Sequence, residues 1–365
     1  MPRETHTLRR RSPVRAPPLL PVVRPAPGKP ARSCHSRALR RVSRADAHIQ
    51  TQRFIMKVFV AGATGAIGRQ LVPRLVAAGH QVHGMTRSED KQGLLRELGA
   101  IPVVADALDP DQVAEAVANA RPDVIVHQLT ALTGVERYSA RAAAPTNRLR
   151  TEGTDHLLSA GHAVGVRRFV AQGIATFGLY ARSGGPVKTE EDPVDPAPAK
   201  DMRDGLAAIR HLEAAVLGAD WTEGIVLRYG VFYGPGTSLA LGSSQFEMVR
   251  KRKFPLVGDG GGVWSFIHIA DAAEATVAAI EHGSRGVYNV VDDDPAPVAE
   301  WLPALAQELG AKKPMRMPRF VARLFAGEAG VMMMTEMRGA SNAKAKRELR
   351  WHPAHPTWRE GLAAA

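Results

Sequence analysis

The sequence predicts an α/β fold: a doubly wound parallel sheet with a small discontinuous subdomain. Two observations indicate this arrangement. From Met56 onward, short apolar runs alternate with segments of helical periodicity, which is typical of parallel strands joined by helices. Three segments rich in glycine and proline interrupt the alternation: 181–203, 232–263 and the stretch after Gly286. These segments are therefore expected to leave the sheet and form the subdomain.

The apolar runs indicate six strands, which begin near Lys57, Gln81, Ile101, Asp123, Arg167 and Gly224. Helices are predicted between them, including residues 69–78, 111–118 and 152–164. The domain covers residues 56–365, with its core over about 56–180, 204–231 and 265–285 and its subdomain over about 181–203, 232–264 and 286–365. In such a sheet, ligands bind at the carboxyl ends of the strands.

A glycine-rich turn follows the first strand. Gly62, Gly65 and Gly68 stand between the apolar run 58–60 and an amphipathic helix. Glycines let the backbone approach a pyrophosphate, and a helix N-terminus offers free N–H groups and a positive dipole end. The sequence therefore predicts a dinucleotide site that contains Gly62, Thr64, Gly65, Ala66, Ile67 and Gly68. The alternative is a tight β–α connection that binds nothing.

The glycine spacing resembles that of the short-chain dehydrogenase/reductase superfamily. Four further segments, 123–127, 168–178, 227–236 and 266–271, resemble elements of its extended, epimerase/dehydratase-like branch in the same order. The resemblance implies a Rossmann core and a substrate-binding subdomain. It also implies that Leu129 and Thr130 contact the cofactor and that Asp106 lies near the adenine, although Asp106 could equally be a turn residue.

The end of the second strand bears on the choice between NAD and NADP. Thr86 stands where the family has an acid, and Arg87 follows it. An arginine pairs with a 2′-phosphate, whereas a carboxylate binds ribose hydroxyls, so NADP(H) is favoured and NAD(H) remains possible. Arg69 could assist. The alternative is that Arg87 is a solvated surface residue.

The catalytic residues that the resemblance implies are missing. Extended short-chain enzymes use a Ser or Thr with a Tyr-x-x-x-Lys pair, but none of the five tyrosines here has a lysine four residues later. The family positions fall on Gly173, Gly205 and Ile209. Candidate substitutes are Tyr180, expected at the mouth of the cleft, and His211, which could donate a proton near neutral pH. Each could instead be structural. A third candidate, Lys188, could be a solvated loop charge.

Two functions are compatible with these residues. The first is an oxidoreductase that moves hydride between NADP(H) and a small carbonyl or alcohol without the usual triad. The second is a non-catalytic NADP(H)-binding regulator or sensor that binds a protein partner. A basic run, 250–253, could contact a second pyrophosphate of a sugar nucleotide, but such runs are more often solvated.

The positive charge of the chain is confined to its beginning. Residues 1–55 contain 13 Lys and Arg against Glu4 and Asp46, or +11 of the net +12. This tail is expected to be disordered, whether it is a targeting segment, a nucleic-acid-binding arm or sequence upstream of a true start at Met56. The single cysteine, Cys34, lies there. For residues 56–365 we expect no metal, no nucleic acid and no membrane partner, a cytoplasmic location and a possible homodimer.

Overall fold

The computed structural model describes residues 55–131 and 140–363. Nearly all of the predicted tail, including Cys34, lies outside the described residues, as does Tyr138. The prediction of a disordered tail therefore stays a prediction. Among the described residues, no helix is both long enough and apolar enough to cross a membrane.

The strands of the described residues are β1 Lys57–Ala61, β2 Gln81–Thr86, β3 Ile101–Val104, β4 Val124–His127, β5 Arg168–Ile174, β6 Val187–Lys188, β7 Glu223–Tyr229, β8 Val231–Tyr233, β9 Leu256–Val257, β10 Val263–Trp264, β11 Phe266–His268, β12 Gly286–Val290, β13 Ala296–Pro297, β14 Arg316–Met317 and β15 Gly339–Ala340. The helices are α1 Ala66–Ala77, α2 Gln92–Glu97, α3 Pro110–Ala120, α4 Ala140–Arg150, α5 Glu152–Val164, α6 Arg203–Gly218, α7 Ser244–Arg250, α8 Ile269–His282, α9 Val298–Glu308, α10 Arg319–Thr335, α11 Ala343–Glu348 and α12 Trp358–Ala363. Short 3₁₀ turns cover Glu89–Lys91 and Lys200–Met202.

Seven strands form one parallel sheet in the order β12-β7-β5-β4-β1-β2-β3. All six predicted strands are present and start within one residue of the predicted positions. The order reverses between β1 and β4, where Ala61 lies opposite His127. The carboxyl ends of these two strands diverge into loops on opposite sides, which is where a doubly wound sheet binds a ligand.

Both faces of the sheet are covered, which explains why its strands are nearly continuous apolar runs. On one face, Leu71 of α1 and Ala272 of α8 belong to a cluster that also includes Val58 and Val60. On the other, Val113 of α3, Leu157 of α5 and Leu212 of α6 pack around the alternate residues of the same strands. The sheet is therefore a rigid platform for the loops at its carboxyl edge.

One domain boundary was predicted wrongly. Residues 286–290 were assigned to the subdomain, but they form β12, the seventh strand of the main sheet, paired with β7. The segment that follows also returns to the core, because Ala345, Leu349 and Trp351 pack in the cluster around β1. Glycine and proline on both sides of the run 287–291 obscured a short strand whose pairing is entirely non-local.

The subdomain is held by its own aromatic cluster and by two-stranded pairings. Trp264, Phe266, Trp301 and Trp358 pack together, with Trp264 and Trp301 centroids 4.9 Å apart. Short pairs join β8 to β11, β6 to β15, β9 to β14 and β10 to β13. These pairs join segments that are far apart in sequence.

Candidate functional site

The glycine turn between β1 and α1 needs glycine at two positions for different reasons. Gly62 has φ +91°, and a Cβ there would lie 2.7 Å from the carbonyl oxygen of Gln128. A Cβ on Gly68 would lie 2.4 Å from the carbonyl oxygens of Gly62 and Ala63. The turn is therefore packed tightly against both β4 and the start of α1, and any larger residue would push them apart.

The start of α1 is open towards the carboxyl edge of the sheet. Gly65 is the N-cap residue, and no side chain caps the first turn. Gly65 and Ala66 are exposed. Since the first N–H groups of a helix have no intrahelical acceptor, this end presents free donors and a positive dipole end. The predicted residues of the turn fit a pyrophosphate.

The residues predicted to surround the cofactor lie at neighbouring strand ends. Arg87 follows β2 directly and is exposed, while Thr86 is buried. Arg69 donates through Nε to the carbonyl oxygen of Thr64 at 3.0 Å, so it braces the turn. Asp106, also exposed, accepts from the backbone N–H of Leu108 and closes a turn after β3. This contact is the one expected if Asp106 is a turn residue.

Leu129 and Thr130 follow β4 beside the glycine turn. Leu129 donates its backbone N–H to Nδ1 of His127 at 3.2 Å. The His127 ring is buried against Thr154 and the carbonyl of Leu149, and burial lowers its pKa to about 4. His127 is thus a neutral structural group that shapes the loop, whereas Thr130 is exposed.

The three family catalytic positions do not form an open site. Gly173, on β5, lies opposite Arg228 on β7. A Cβ on Gly173 would come within 3.0 Å of Val226 Cγ1 and 3.2 Å of Arg228 Cγ. Gly205 and Ile209 are both buried on α6. The place of a catalytic serine is therefore filled by the side chains of β7.

A buried ion pair occupies this region instead. Arg228 donates from Nε and Nη2 to the two carboxylate oxygens of Glu213, on α6, both at 2.7 Å. Burial alone would lower the pKa of Arg228, but the hydrogen bonds and charge of Glu213 raise it above its usual value. A charged residue, Arg228, within the apolar run of β7 indicates a buried partner of opposite charge. The sequence did not show that this partner is Glu213.

Tyr180 is buried, which corrects its expected place at the mouth of a cleft. Its phenol donates to Oδ1 of Asn289 at 2.5 Å and accepts from Nη1 of Arg228 at 3.1 Å. Burial raises the pKa of Tyr180, although Arg228 opposes this effect. Glu190, which the sequence reasoning did not consider, accepts from the backbone N–H of Asn289 at 2.7 Å, and burial raises its pKa. With Glu213, Tyr180 thus belongs to a polar network whose members come from five separate segments.

The other two proposed substitutes lie in different surroundings. His211 is on the exposed side of α6, and its Nε2 lies 2.8 Å from Oδ1 of Asp155 on α5. Lys188 is buried, contrary to its reading as a solvated charge, and donates to Ser183 O and Asp192 Oδ1. Lys188 therefore organises the loop that contains it, and no contact links His211 to the Tyr180 network among the described residues.

The turn that follows β5 has a phenylalanine in an unfavourable backbone conformation. Leu179 donates its backbone N–H to Thr176, and both central residues, Phe177 and Gly178, have positive φ angles of 55° and 69°. The left-handed region is unfavourable for a bulky residue. Phe177 is nevertheless 38% exposed, and a Cβ on Gly178 would lie 2.7 Å from Cε of Met332. Strain of this kind concentrates at functional sites.

One cluster has the composition of a metal site. Potential ligand atoms of His268, Asp271 and His355 lie within 4.8 Å of one another. Asp271 accepts from the backbone N–H groups of Ala354 and His355 and from the His355 ring, while His268 Nδ1 accepts from the N–H of Ala270. These bonds explain the cluster as an attachment of segment 354–355 to the start of α8.

Comparison with known proteins gives a consistent assignment. The model of the NAD dependent epimerase/dehydratase family matches residues 58–291. A 3-diazoavenalumate denitrifying reductase from a Streptomyces species is 45% identical over 312 residues, which cover 84% of this chain and 99% of that protein. A 2-alkyl-3-oxoalkanoate reductase from Stenotrophomonas maltophilia is 28% identical over 71% of this chain and 77% of that protein.

Solved structures have the same architecture. Thermus thermophilus UDP-glucose 4-epimerase, in complex with NAD, aligns with a TM-score of 0.64 and 23% identity over 84% of this chain and 96% of its own. MoeE5, in complex with UDP-glucuronic acid and NAD, has the same TM-score and coverage with 25% identity. The fold of this chain thus matches that of proteins whose solved structures contain NAD.

Proposed function

Because the chain belongs to the NAD dependent epimerase/dehydratase family, we propose that it is a reductase that uses NADP(H) and acts without a Ser-Tyr-Lys triad. The observation that carries this proposal is the buried pair of Arg228 and Glu213 beside Gly173. The glycine turn fits a cofactor, whereas the position of the usual serine lies against a structural ion pair and the positions of the usual tyrosine and lysine are Gly205 and Ile209.

The residues of the glycine turn fit the pyrophosphate of a dinucleotide. Gly62 and Gly68 allow the tight packing of this turn, and Gly65 and Ala66 are exposed at its entrance. Arg87, exposed directly after β2, would supply the cation for a 2′-phosphate. When bound, the reduced nicotinamide supplies a hydride. The chain's own task is to hold the acceptor beside it and keep water away.

The lost triad limits which acceptors are suitable. Reduction of a ketone produces an alkoxide that must receive a proton, and a positioned acid accelerates this by roughly 10²–10⁴-fold. A diazonium group on an aromatic ring has no such requirement: the carbon–nitrogen bond breaks, its electron pair leaves with N₂, and the hydride forms the new carbon–hydrogen bond. Charge and electrons balance without a proton. We therefore propose an aromatic diazonium compound as the acceptor, since the 45% identical relative is named a 3-diazoavenalumate denitrifying reductase.

Phe177 supports an aromatic acceptor. Phe177 is partly exposed in the turn after β5 and has a backbone conformation that costs energy. Aromatic pairs in stacked or edge-to-face arrangements add about 0.5–1.5 kcal/mol beyond the burial of their area. Behind the turn, Met332 and Met202 form an apolar support. Stacking on Phe177 would therefore add to the affinity for an aromatic acceptor.

The test is to measure NADPH oxidation and N₂ release with 3-diazoavenalumate and, in parallel, with a panel of ketones. We expect one N₂ per NADPH oxidised with the diazo compound, and deuterium from labelled NADPH on the ring carbon that lost nitrogen. In Tyr180→Phe and His211→Ala variants the rate should decrease by much less than the roughly 10²-fold that removal of a general acid causes.

Three outcomes would overturn parts of this proposal. A loss of 10²-fold or more in Tyr180→Phe, with its unfolding transition unchanged, would make the tyrosine a proton donor and restore a carbonyl acceptor. Turnover of ketones but not of the diazo compound would do the same. Tight NADPH binding without turnover of any acceptor would favour the non-catalytic sensor.

A further inference from the structure

One helix of the subdomain exposes its apolar side to solvent. α10 is interrupted at Gly327, whose φ and ψ of 70° and −175° are not helical. In the part before this break, Phe320 and Leu324 are 73% and 79% exposed, and they share one face because they are four residues apart. The small residue Ala322 points into the core instead. A surface helix normally has the opposite orientation.

Exposed cations occur in two segments that precede this helix in the chain. The chain from 252 to 258 runs beside 313–317: Arg252 donates to Lys313 O, Leu256 to Met315 O and Gly258 to Met317 O. These two neighbouring segments, with the adjacent Lys312, contain the half-exposed Met315 and four exposed cations: Lys253, Lys312, Lys313 and Arg316. None of the four forms an ion pair with another described residue.

We infer that these residues dock the protein on an anionic membrane surface. The basic-apolar surface comprises the exposed residues of these two segments and of the first part of α10: Lys253, Lys312, Lys313, Met315, Arg316, Phe320 and Leu324. Apolar side chains that enter the boundary of the acyl region, beside cations that meet anionic headgroups, are the combination by which amphipathic helices bind membranes in the interfacial plane. The lack of a spanning helix is compatible with this contact, and the inference revises the expectation that residues 56–365 have no membrane partner.

Charge complementarity favours a lipid surface over two other occupants. In a twofold contact between two copies, the same patch occurs on both sides, so the unpaired cations would approach one another. A nucleic acid would satisfy the cations but would leave Leu324, which has no aromatic face for stacking, without a role. An anionic bilayer satisfies the cations, Phe320 and Leu324 together.

The inference is tested by flotation of the full chain with vesicles of phosphatidylcholine, alone or mixed with phosphatidylglycerol. We expect binding to the mixed vesicles that weakens about fivefold for each cation removed. Lys312→Glu/Lys313→Glu should therefore weaken it by about 25-fold or more, because each change also adds a negative charge. Phe320→Ser/Leu324→Ser should weaken binding at unchanged net charge. NADPH affinity should be unchanged in both variants.

The matched control is Lys91→Glu/Arg96→Glu, which makes the same change of net charge beside and within α2. An equal loss in this control would overturn the inference, since the binding would then follow net charge or the basic residues of 1–55. No vesicle binding by the wild-type chain would also overturn it. A second copy would be the occupant if Phe320→Ser/Leu324→Ser turned a dimer into a monomer in sedimentation while vesicle binding stayed the same.

Discussion

The glycine turn after β1 and the polar network after β5 lie at the same edge of one sheet, but they are built differently. The turn is a backbone structure: Gly62 and Gly68 have no room for side chains, and the donors are the N–H groups that open α1. The network is made of side chains, with Arg228 bonded to Glu213 and to Tyr180. The first keeps the family pattern, whereas the second has replaced it.

Under the proposed function, this fold keeps a cofactor and changes its chemistry. A backbone cradle depends on a few glycines close together in sequence, so it survives while the rest of the chain diverges. Catalytic side chains at the ends of β5 and α6 can be exchanged with no change in the sheet, and here Gly173 makes room for Arg228. Function must therefore be argued from the network, since the cradle is common to many activities.

The largest expected effect is a loss of stability when the network is disrupted, with no change in cofactor binding at the glycine turn. Glu213→Ala would leave the buried guanidinium of Arg228 without its carboxylate. Removing one partner of a buried ion pair costs about 3–5 kcal/mol. We expect urea unfolding to show a loss of this size, with NADPH affinity unchanged in the protein that remains folded.

The double variant Arg228→Met/Glu213→Leu is the control for this interpretation. An apolar pair of similar volume should recover most of the lost free energy of unfolding, because no charge is then buried alone. If the double variant is as unstable as Glu213→Ala, the loss does not come from a stranded charge. A loss below about 1 kcal/mol in the single variant would match a solvated pair, contrary to the burial of both side chains.

A second substitution should weaken cofactor binding at the glycine turn and leave the polar network intact. Gly65→Glu adds a carboxylate at the exposed entrance of the turn, where a Cβ would meet only the carbonyl oxygen of Gly62, at 3.2 Å. Two like charges at about 4 Å near a protein surface repel by about 4 kcal/mol. We expect calorimetry to show NADPH binding at least about 100-fold weaker, with thermal unfolding little changed.

Gly93→Glu provides the matched control for the added charge. Gly93 is exposed on α2, and a Cβ there would meet no atom within 4 Å. This variant should bind NADPH like the wild-type chain. Normal binding by Gly65→Glu would mean that the pyrophosphate does not contact the start of α1, and the assignment of the turn would be wrong.

The sequence predicted the local features of the molecule and missed the non-local ones. The six predicted strands and the glycine turn follow from residues that are close neighbours in the chain. β12 was misassigned because its identity as a strand depends on pairing with β7, about 60 residues earlier. Tyr180 was expected in an open cleft because its two partners, Arg228 and Asn289, are 48 and 109 residues away. No local sequence pattern predicts contacts between residues so far apart in the chain.

The smallest effect concerns the choice of cofactor, which the cradle alone does not determine. Arg87 is exposed at the end of β2, beside the strand that leads into the turn. A hydrogen-bonded pair with a charged group contributes about 1.5–3 kcal/mol, so Arg87→Ala should weaken NADPH binding by about tenfold or more. NADH has no 2′-phosphate, and its affinity should stay the same. Arg96→Ala, on the exposed side of α2, should change neither affinity. Equal affinities of the wild-type chain for NADPH and NADH would contradict the proposed preference and would reduce Arg87 to a solvated surface residue.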